Sequence, residues 1–209
     1  PKHTSGILLW LKADSGLISR NDSVSQWSDL SGNNNHAVQP VELRRPIAFH
    51  NINQLNNKSV IRFNNTDNVN TSNQLVFFNL TNPIPNIQSV FMVLKHQTGN
   101  QTYSAILGNS VTIDYVCSEA GNDMFGYSND NVKNGKIYKN QQLLNYTLVK
   151  KPINYSMLSL LQAGSTSADH ISSDRFYNGR FWNGEFAEIL LYNNTLIDQD
   201  RIKIEEYFK

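Results

Sequence analysis

Short runs of β-branched and aromatic residues alternate along the chain with clusters of Asn, Gly, Ser and Pro. Apolar runs of this length between turn-forming residues are typical of strands, and their close spacing predicts an all-β sandwich. We predict strands near residues 7–12, 60–63, 74–78, 89–96, 104–107, 111–116, 136–138, 143–148, 157–162 and 186–192.

The last of these runs, residues 186–192, is apolar on both faces of an ideal strand. Strict alternation would place Phe186, Glu188, Leu190 and Tyr192 on one face and Ala187, Ile189 and Leu191 on the other. Such a strand needs cover on both sides, so we predict that it is central. A short helix follows it. Asp198 is its expected N-cap, and Ile197, Ile204 and Phe208 are its expected apolar stripe.

Two stretches carry a recognisable order of residues. Residues 183–207 read small-Gly-x-x-Ala-Glu-Ile-x-x-Tyr-Asn-x-x-Leu-x-Asp-x-x-Arg-x-x-Ile-Glu-x-Tyr. Residues 9–17 read Leu-Trp-Leu-Lys-Ala-Asp-Ser-Gly-Leu, and residues 24–34 read Val-Ser-Gln-Trp-Ser-Asp-Leu-Ser-Gly-Asn-Asn. Both ends resemble the ends of laminin-G-like jelly-roll domains, which belong to the concanavalin A-like lectin and glucanase group. The middle of the chain matches only in its rhythm of strands.

This resemblance implies one domain over residues 1–209, a two-sheet antiparallel jelly-roll β-sandwich with a short C-terminal helix. It implies a structural role for Glu188, which coincides with a recurring glutamate of the group and is expected to accept hydrogen bonds. It implies a structural role for Asp29 as well. That carboxylate is expected to cap the amides of the following turn while Trp27 buries its ring.

Composition excludes several classes of function. The formal net charge is +1 and charged residues make up 17% of the chain without forming a basic face, so nucleic acid is not an expected partner. The apolar runs are far shorter than the roughly 20 residues that cross a bilayer, so we expect no membrane insertion. The single cysteine, Cys117, excludes an internal disulfide, and we interpret it as a small strand-end residue rather than a nucleophile.

Asparagine is unusually frequent, with 29 residues, and nine of them lie in Asn-x-Ser/Thr sequons. The excess has two explanations, an AT-rich genome that favours Asn codons or glycosylation of an extracellular, cell-surface or virion-surface protein. The possible glycosylation positions are Asn21, Asn57, Asn64, Asn70, Asn79, Asn100, Asn145, Asn154 and Asn193.

No motif predicts an enzyme. Glucanases of this fold carry a Glu-x-Asp-x-x-Glu arrangement in which two carboxylates flank the glycosidic bond about 5 Å apart, and the chain has none. Glu185 and Glu188 are the nearest candidates, but three residues apart on a regular strand they would point to opposite faces. The five histidines show neither a nucleophile-elbow pattern nor metal-binding spacing.

Two loops combine aromatic rings with amides, carboxylates and guanidinium groups, which is the chemistry that sugar recognition uses. The predicted binding residues are Asn122, Asp123, Tyr127, Asn129 and Asp130 in the first loop, and Asp174, Arg175, Tyr177, Arg180 and Trp182 in the second. The alternative for Tyr177 and Trp182 is core packing. Arg175 and Arg180 are candidates to bind a carboxylate-bearing sugar or to lie in solvent. Asp123 and Asp130 are candidate Ca²⁺ ligands, and the alternative there is an ordinary solvated turn.

Together these patterns predict a non-catalytic recognition domain of an adhesion protein, with glycans or a glycosylated surface as its partner. Two alternatives stay open. One is a structural or protein-contacting module of a fibre, adhesin or capsid, with neighbouring domains or subunits of a larger surface assembly as its partners. The other is a carbohydrate-active enzyme with unusual catalytic groups. Neighbouring domains are expected to add avidity.

Overall fold

A computed structural model describes residues 4–65, 75–97, 103–117, 122–175 and 180–209. The helices are α1 (Asp130–Lys133) and α2 (Asp198–Tyr207), with single 3₁₀ turns at Glu42–Arg44, Asn53–Leu55 and Tyr146–Leu148. The strands of these residues are β1 (Ile7–Lys12), β2 (Leu17–Arg20), β3 (Ser23–Trp27), β4 (Ala37–Val38), β5 (Ile47–Ile52), β6 (Lys58–Phe63), β7 (Phe78–His96), β8 (Ala105–Gly108), β9 (Tyr115–Val116), β10 (Lys136–Lys139), β11 (Gln142–Leu144), β12 (Ser156–Ile171) and β13 (Gly184–Tyr192).

The strands form two antiparallel layers, which confirms the predicted all-β sandwich. In the helix layer, β7 pairs with one edge of β13, while β1 and β6 share the other edge. Beyond β7 the helix layer continues through β12 and β10 to β11. The second layer contains β2, β3, β4, β8 and β9, joined through the other halves of β7 and β12.

An apolar core fills the space between the two layers. Its members from the helix layer include Leu9, Ile61, Met92 and Ile189, and those from the second layer include Val24, Trp27, Phe78, Leu107 and Ile171. A smaller apolar cluster lies on the opposite face of the helix layer and contains Phe91, Leu190, Tyr192, Leu196 and Ile204. The strand β13 is thus covered on both faces, so the prediction that it is central is confirmed.

Two strands run through both layers, which the sequence pattern did not predict. We expected separate strands at residues 74–78 and 89–96, but β7 is continuous from Phe78 to His96. The register between β7 and β12 shifts between Leu161 and Thr166 and twice more before Ile171. Proline cannot donate to a strand ladder, and Pro83 and Pro85 lie in this irregular stretch, where the paired strands pass from one layer to the other.

A β-bulge in β13 overturns the expected alternation of its side chains. Phe186 pairs with Leu94 and Glu188 with Val93, so Ala187 is an extra residue. Phe186 therefore lies in the central core with Ile189, while Glu188 shares the outer face with Leu190. Our prediction that Phe186 and Glu188 share a face was wrong because one inserted residue reverses the order of faces.

The helix α2 begins one residue earlier than predicted. Ile197 is the N-cap residue and provides no side-chain cap, whereas Asp198 lies in the first turn. The Asp198 Oδ1 atom instead accepts hydrogen bonds from Arg201 Nε at 3.1 Å and from the Tyr138 hydroxyl at 3.3 Å. Ile204 is buried as expected, but the Ile197 side chain is 63% exposed, so it is not part of the apolar stripe.

The turn after β3 is held by one carboxylate. Asp29 Oδ1 accepts hydrogen bonds from the backbone amides of Trp10 and Ser31, both at 2.9 Å. Its Oδ2 accepts from Ser31 Oγ at 2.7 Å and from the Asn35 amide at 3.0 Å. Trp27 is fully buried. The predicted structural roles of Asp29 and Trp27 are confirmed.

Candidate functional site

An aromatic and arginine cluster lies where the segments before β8, after β9 and before β13 meet. We call Tyr103, Tyr127, Arg180 and Asp174 the rim cluster. The rings of Tyr103 and Tyr127 lie 5.1 Å apart, edge to face, at an interplanar angle of 61°. The Arg180 guanidinium carbon lies 4.7 Å from the Tyr103 ring centre and 5.6 Å from that of Tyr127. A cation at these distances is attracted to both ring faces.

The carboxylate of Asp174 holds the arginines of this cluster in place. Asp174 is almost completely buried. Its Oδ2 accepts a hydrogen bond from Arg180 Nη1 at 2.9 Å, and its Oδ1 accepts one from Arg175 Nε at 3.1 Å. The Arg180 carbonyl also accepts from the Ala105 amide at 3.1 Å, which ties this segment to β8. Both guanidinium groups donate charge-assisted hydrogen bonds to this buried carboxylate, which fixes their direction.

Tyr127 is the exposed aromatic surface of the rim cluster. Its side chain is 43% exposed, although the Tyr127 amide is bonded to the Val116 carbonyl at 3.3 Å. The ring is therefore held by its backbone and by two neighbours, and it still presents surface to solvent. Sequence reasoning missed Tyr103, whose one signal is its position directly before the strand predicted at residues 104–107.

Trp182 does not belong to this surface, which corrects its prediction as a binding residue. It is fully buried and lies in the central core. Its ring centre is 5.0 Å from that of His96 and 5.9 Å from that of Phe186. Of the two interpretations that the sequence allowed, the core interpretation is confirmed. Tyr177 lies outside the described residues.

The remaining predicted binding residues of the first loop make local contacts. Asp123 forms an ion pair with Lys150, and Asp130 forms another with Lys133 at 2.9 Å. Asn129 caps α1 by accepting from the Asn131 amide at 2.8 Å. Asn122 is exposed, and its backbone carbonyl accepts from the Lys151 amide at 2.6 Å. The structure therefore brings Tyr127 together with Asp174 and Arg180, and Arg175 is bonded to the same Asp174 carboxylate. The contacts given above for Asn122, Asp123, Asn129 and Asp130 are to other residues.

Calcium binding stays a prediction. Among the residues that the structure describes, no three His, Cys, Asp or Glu side chains are grouped so that they could hold a metal ion. Asp123 and Asp130 each have a lysine as a neighbour, which would compete with a cation. Backbone and amide oxygens can complete a calcium site without further carboxylates.

The sequons lie mainly on the surface. Asn21, Asn57, Asn64, Asn145, Asn154 and Asn193 are exposed, Asn79 is partly buried in β7, and Asn70 and Asn100 lie outside the described residues. The Asn145 side chain accepts a hydrogen bond from the Thr147 amide at 3.1 Å, within its own sequon. Glycosylation of these positions remains a prediction.

Glu185 and Glu188 lie on the same face of β13, contrary to the prediction. Glu185 pairs with Lys95 of β7, and Glu188 pairs with Val93 of β7. Lys95 and Val93 are two residues apart and share a face of β7, so their partners Glu185 and Glu188 share a face of β13. Glu185 is fully buried and accepts from Arg62 Nε at 2.7 Å, and the Tyr155 hydroxyl donates to its Oε2. The Glu185 carboxylate is already hydrogen-bonded to Arg62 and Tyr155, so Glu185 and Glu188 do not form the accessible pair of carboxylates that flanks the bond in a glycosidase.

Glu188 has the hydrogen-bond role that we expected. Its Oε1 accepts from the indole Nε1 of Trp10 at 2.6 Å and from the Tyr207 hydroxyl at 2.9 Å. Burial raises the pKa of the Glu188 carboxyl, although these two donors and the charge of Lys12 act against the rise. The glutamate thus joins β1, β13 and the end of α2.

A cleft crosses the outer face of the helix layer beside the end of α2. We call it the helix-end cleft. It has a larger lobe of about 240 Å³ and a smaller lobe of about 110 Å³. The two lobes share the lining residues Gln54, Leu55, Val93, Phe208 and Lys209, so they are continuous. No sequence pattern indicates this cleft, because residues far apart in the chain form its walls.

No family model matches the chain, and no curated protein matches it. No helix within the described ranges has both the length and the apolar character required to cross a membrane. Any functional assignment therefore rests on the geometry of the rim cluster and of the cleft.

His96, which packs on Trp182, makes the stability of the domain depend on pH. Burial, together with the charge of Lys151, lowers the pKa of His96 to about 4. Its Nε2 atom is buried and has no hydrogen-bond partner among the described residues. In the unfolded chain the imidazole takes up a proton near pH 6.5, but in the folded chain it stays neutral to about pH 4.

We therefore expect the free energy of unfolding to fall as the pH drops from about 6.5 to about 4, with His96 accounting for about 2 kcal/mol of the loss. Denaturant unfolding of the wild type and of His96→Phe at several pH values measures this contribution as the difference between the two profiles. Phenylalanine keeps a ring against Trp182 and cannot be protonated. Parallel profiles would show that His96 does not titrate in this range.

Proposed function

We propose that this chain is a non-catalytic recognition domain that binds glycans through the rim cluster. The observation that carries the proposal is the exposed Tyr127 ring, held in place by Tyr103 and Arg180. The apolar face of a sugar ring packs on an aromatic face, and polar groups at the edge of the aromatic surface bond to the sugar hydroxyls. The resemblance of both chain ends to laminin-G-like and concanavalin A-like domains supports the same class of ligand.

Several further features belong to this proposal. We propose a glycosylated surface as the partner and an extracellular, cell-surface or virion-surface location, in line with the exposed sequons. A domain of this kind is not an enzyme. Calcium, bound near Asp123 and Asp130, is the proposed cofactor if any is needed. Neighbouring domains or subunits would increase the avidity of a shallow site.

A glycan array probed with the purified domain, with calcium and again with chelator, tests the proposal. We expect a specific signal, and its loss in chelator would place calcium in or beneath the site. We expect Tyr127→Ala to weaken binding of the best glycan about tenfold, because about 1.4 kcal/mol of ring contact is removed. Tyr127→Phe keeps the ring and should retain binding.

The matched control is Leu143→Ala, which removes an apolar side chain that is 56% exposed on strand β11. It should leave both glycan binding and the melting temperature unchanged. Equal binding by Tyr127→Ala and the wild type would remove the rim cluster as the site. A blank array, repeated with a multimerised domain, would contradict glycan recognition as a whole.

A protein-contacting or structural module is the second candidate. Among the described strands β11 pairs with β10 alone, so its other edge is unpaired. The Leu143 side chain on β11 and the nearby Leu148 side chain are 56% and 64% exposed. An open strand edge with apolar side chains is a place where another chain can add a strand. A blank array combined with concentration-dependent association would favour this function.

A further inference from the structure

The helix-end cleft has the lining of a small-molecule site. Its floor is apolar and includes Leu55, Val93, Met157 and Phe208. Its walls carry the amide side chains of Gln54, Asn140 and Gln141. An apolar floor with a few polar groups on the walls is the usual composition of a ligand pocket. None of these residues belongs to the rim cluster, so the cleft is a separate place on the molecule.

Two of the amide side chains that line the cleft are each held by one hydrogen bond and still have a donor or an acceptor to offer. Asn140 Oδ1 accepts from the Met157 amide at 2.9 Å, which fixes the side chain and leaves its NH₂ group for another acceptor. Gln141 Nε2 donates to Glu206 Oε1 at 3.0 Å, which leaves the Gln141 carbonyl oxygen. Gln54 has no side-chain hydrogen bond with any described residue. The walls thus offer both donors and acceptors, as paired hydroxyl groups require.

The charges that line the cleft balance each other. The carboxylates are Glu188 and Glu205, and the cations are Lys58 and Lys209. Both carboxylates are already bonded, Glu205 to Arg201 Nη1 at 2.6 Å and to Ser159 Oγ at 2.8 Å, and Glu188 to Trp10 and Tyr207. A lining with as many carboxylates as cations does not select a ligand by its net charge, so hydroxyl and apolar contacts decide what binds.

We propose that the helix-end cleft binds a single neutral sugar unit, with its ring on the Val93 and Phe208 floor and its hydroxyl groups bonded to Gln54, Asn140 and Gln141. These five residues all line the larger lobe, whose volume of about 240 Å³ accommodates one sugar ring rather than an oligosaccharide. The inference stands on the lining of the cleft and does not depend on the rim cluster.

The test uses the full 209-residue chain, labelled with ¹⁵N, and titrates it with glucose, galactose, mannose, fucose and N-acetylglucosamine, and with glucuronic acid as the charged comparison. We expect at least one neutral sugar to shift the amide signals of residues around Gln54, Asn140 and Phe208. Glucuronic acid should bind no more tightly than the best neutral sugar, and tighter binding would contradict a site for a neutral unit.

Two variants address the cleft by different means. Gln54→Ala removes a wall amide from an exposed position and should weaken binding at least tenfold. Val93→Phe adds volume at a position that lines both lobes and should abolish binding. The matched control is Gln199→Ala, an exposed glutamine in the first turn of α2 that does not line the cleft. It should bind like the wild type.

Tyr127→Ala separates the two sites. Shifts around Gln54 that persist in this variant support the cleft, whether or not the rim cluster binds glycans. The absence of shifts at the cleft with every sugar, or shifts that Gln54→Ala leaves unchanged, would overturn the proposal. Sugar-dependent shifts that vanish only in Tyr127→Ala would likewise overturn it, while supporting the rim cluster.

Discussion

Replacing Trp182 by alanine is expected to lower the free energy of unfolding by about 3–5 kcal/mol. The indole is fully buried between His96 and Phe186, and alanine would leave a cavity in the central core. The site has little room to collapse. A Cβ atom placed on Gly184 would lie 2.5 Å from the indole nitrogen, so the ring is packed directly against backbone. For a chain of this length the melting temperature should fall by about 6–20 °C.

Differential scanning calorimetry and denaturant unfolding measure this loss, and Tyr127→Ala is the matched control. Tyr127 is 43% exposed and its ring contacts only Tyr103 and Arg180 among the named neighbours, so its removal should lower the free energy of unfolding by about 1 kcal/mol. The sequence made both aromatic residues candidates for binding, whereas in the structure Trp182 is buried and Tyr127 is exposed. Equal melting temperatures for the two variants would contradict the buried position of Trp182.

Removing the Asp174 carboxylate is the second large change, and we expect Asp174→Ala to cost about 3 kcal/mol. The Asp174 side chain is 1% exposed, whereas the side chains of Arg175 and Arg180 are 20% and 19% exposed. Without the carboxylate, two partly buried guanidinium groups lose their charge-assisted hydrogen bonds to Asp174. Partial access to water keeps the cost near the lower end of the range for a broken buried ion pair.

Asp130→Ala is the control for this prediction, because Asp130 also pairs with a cation at 2.9 Å but its side chain is 81% exposed. A surface pair of this kind contributes about 0–1 kcal/mol, so the two variants should differ by more than about 2 kcal/mol in urea unfolding. Asp174→Ala should also weaken glycan binding, since Arg180 would no longer be held against Tyr127. Equal unfolding energies for the two variants would show that the Asp174 pair is not buried.

The sequence predicted the architecture because burial leaves a two-residue period in strands. The central position of residues 186–192 followed from apolar side chains on both faces of that strand. A two-residue period does not reveal an inserted residue. The bulge at Ala187 places Phe186 and Glu188 on opposite faces of the strand, contrary to the prediction. The continuity of β7 was hidden for a related reason. Pro83 and Pro85 are turn signals locally, and only pairing with a distant strand keeps such a segment extended.

The rim cluster was only partly predictable. Composition identified the loops that contain Tyr127, Asp174 and Arg180, and these residues meet in the structure. It did not distinguish the exposed Tyr127 from the buried Trp182, since both are aromatic residues near glycine. Trp182 packs its indole directly against Gly184, and sequence spacing does not reveal this contact. Tyr103 enters the cluster through tertiary contact only.

The central strand of the helix layer has a consequence for biosynthesis. Within the described residues β1 pairs with β13 alone, and β7 and β6 lie along the same strand. During translation, β1, β6 and β7 therefore cannot pair with β13 until residues 184–192 have left the ribosome. Their apolar faces stay accessible to chaperones and to other nascent chains during that interval. Closure of the helix layer thus follows translation of β13, whereas β7 can pair with β12 before that.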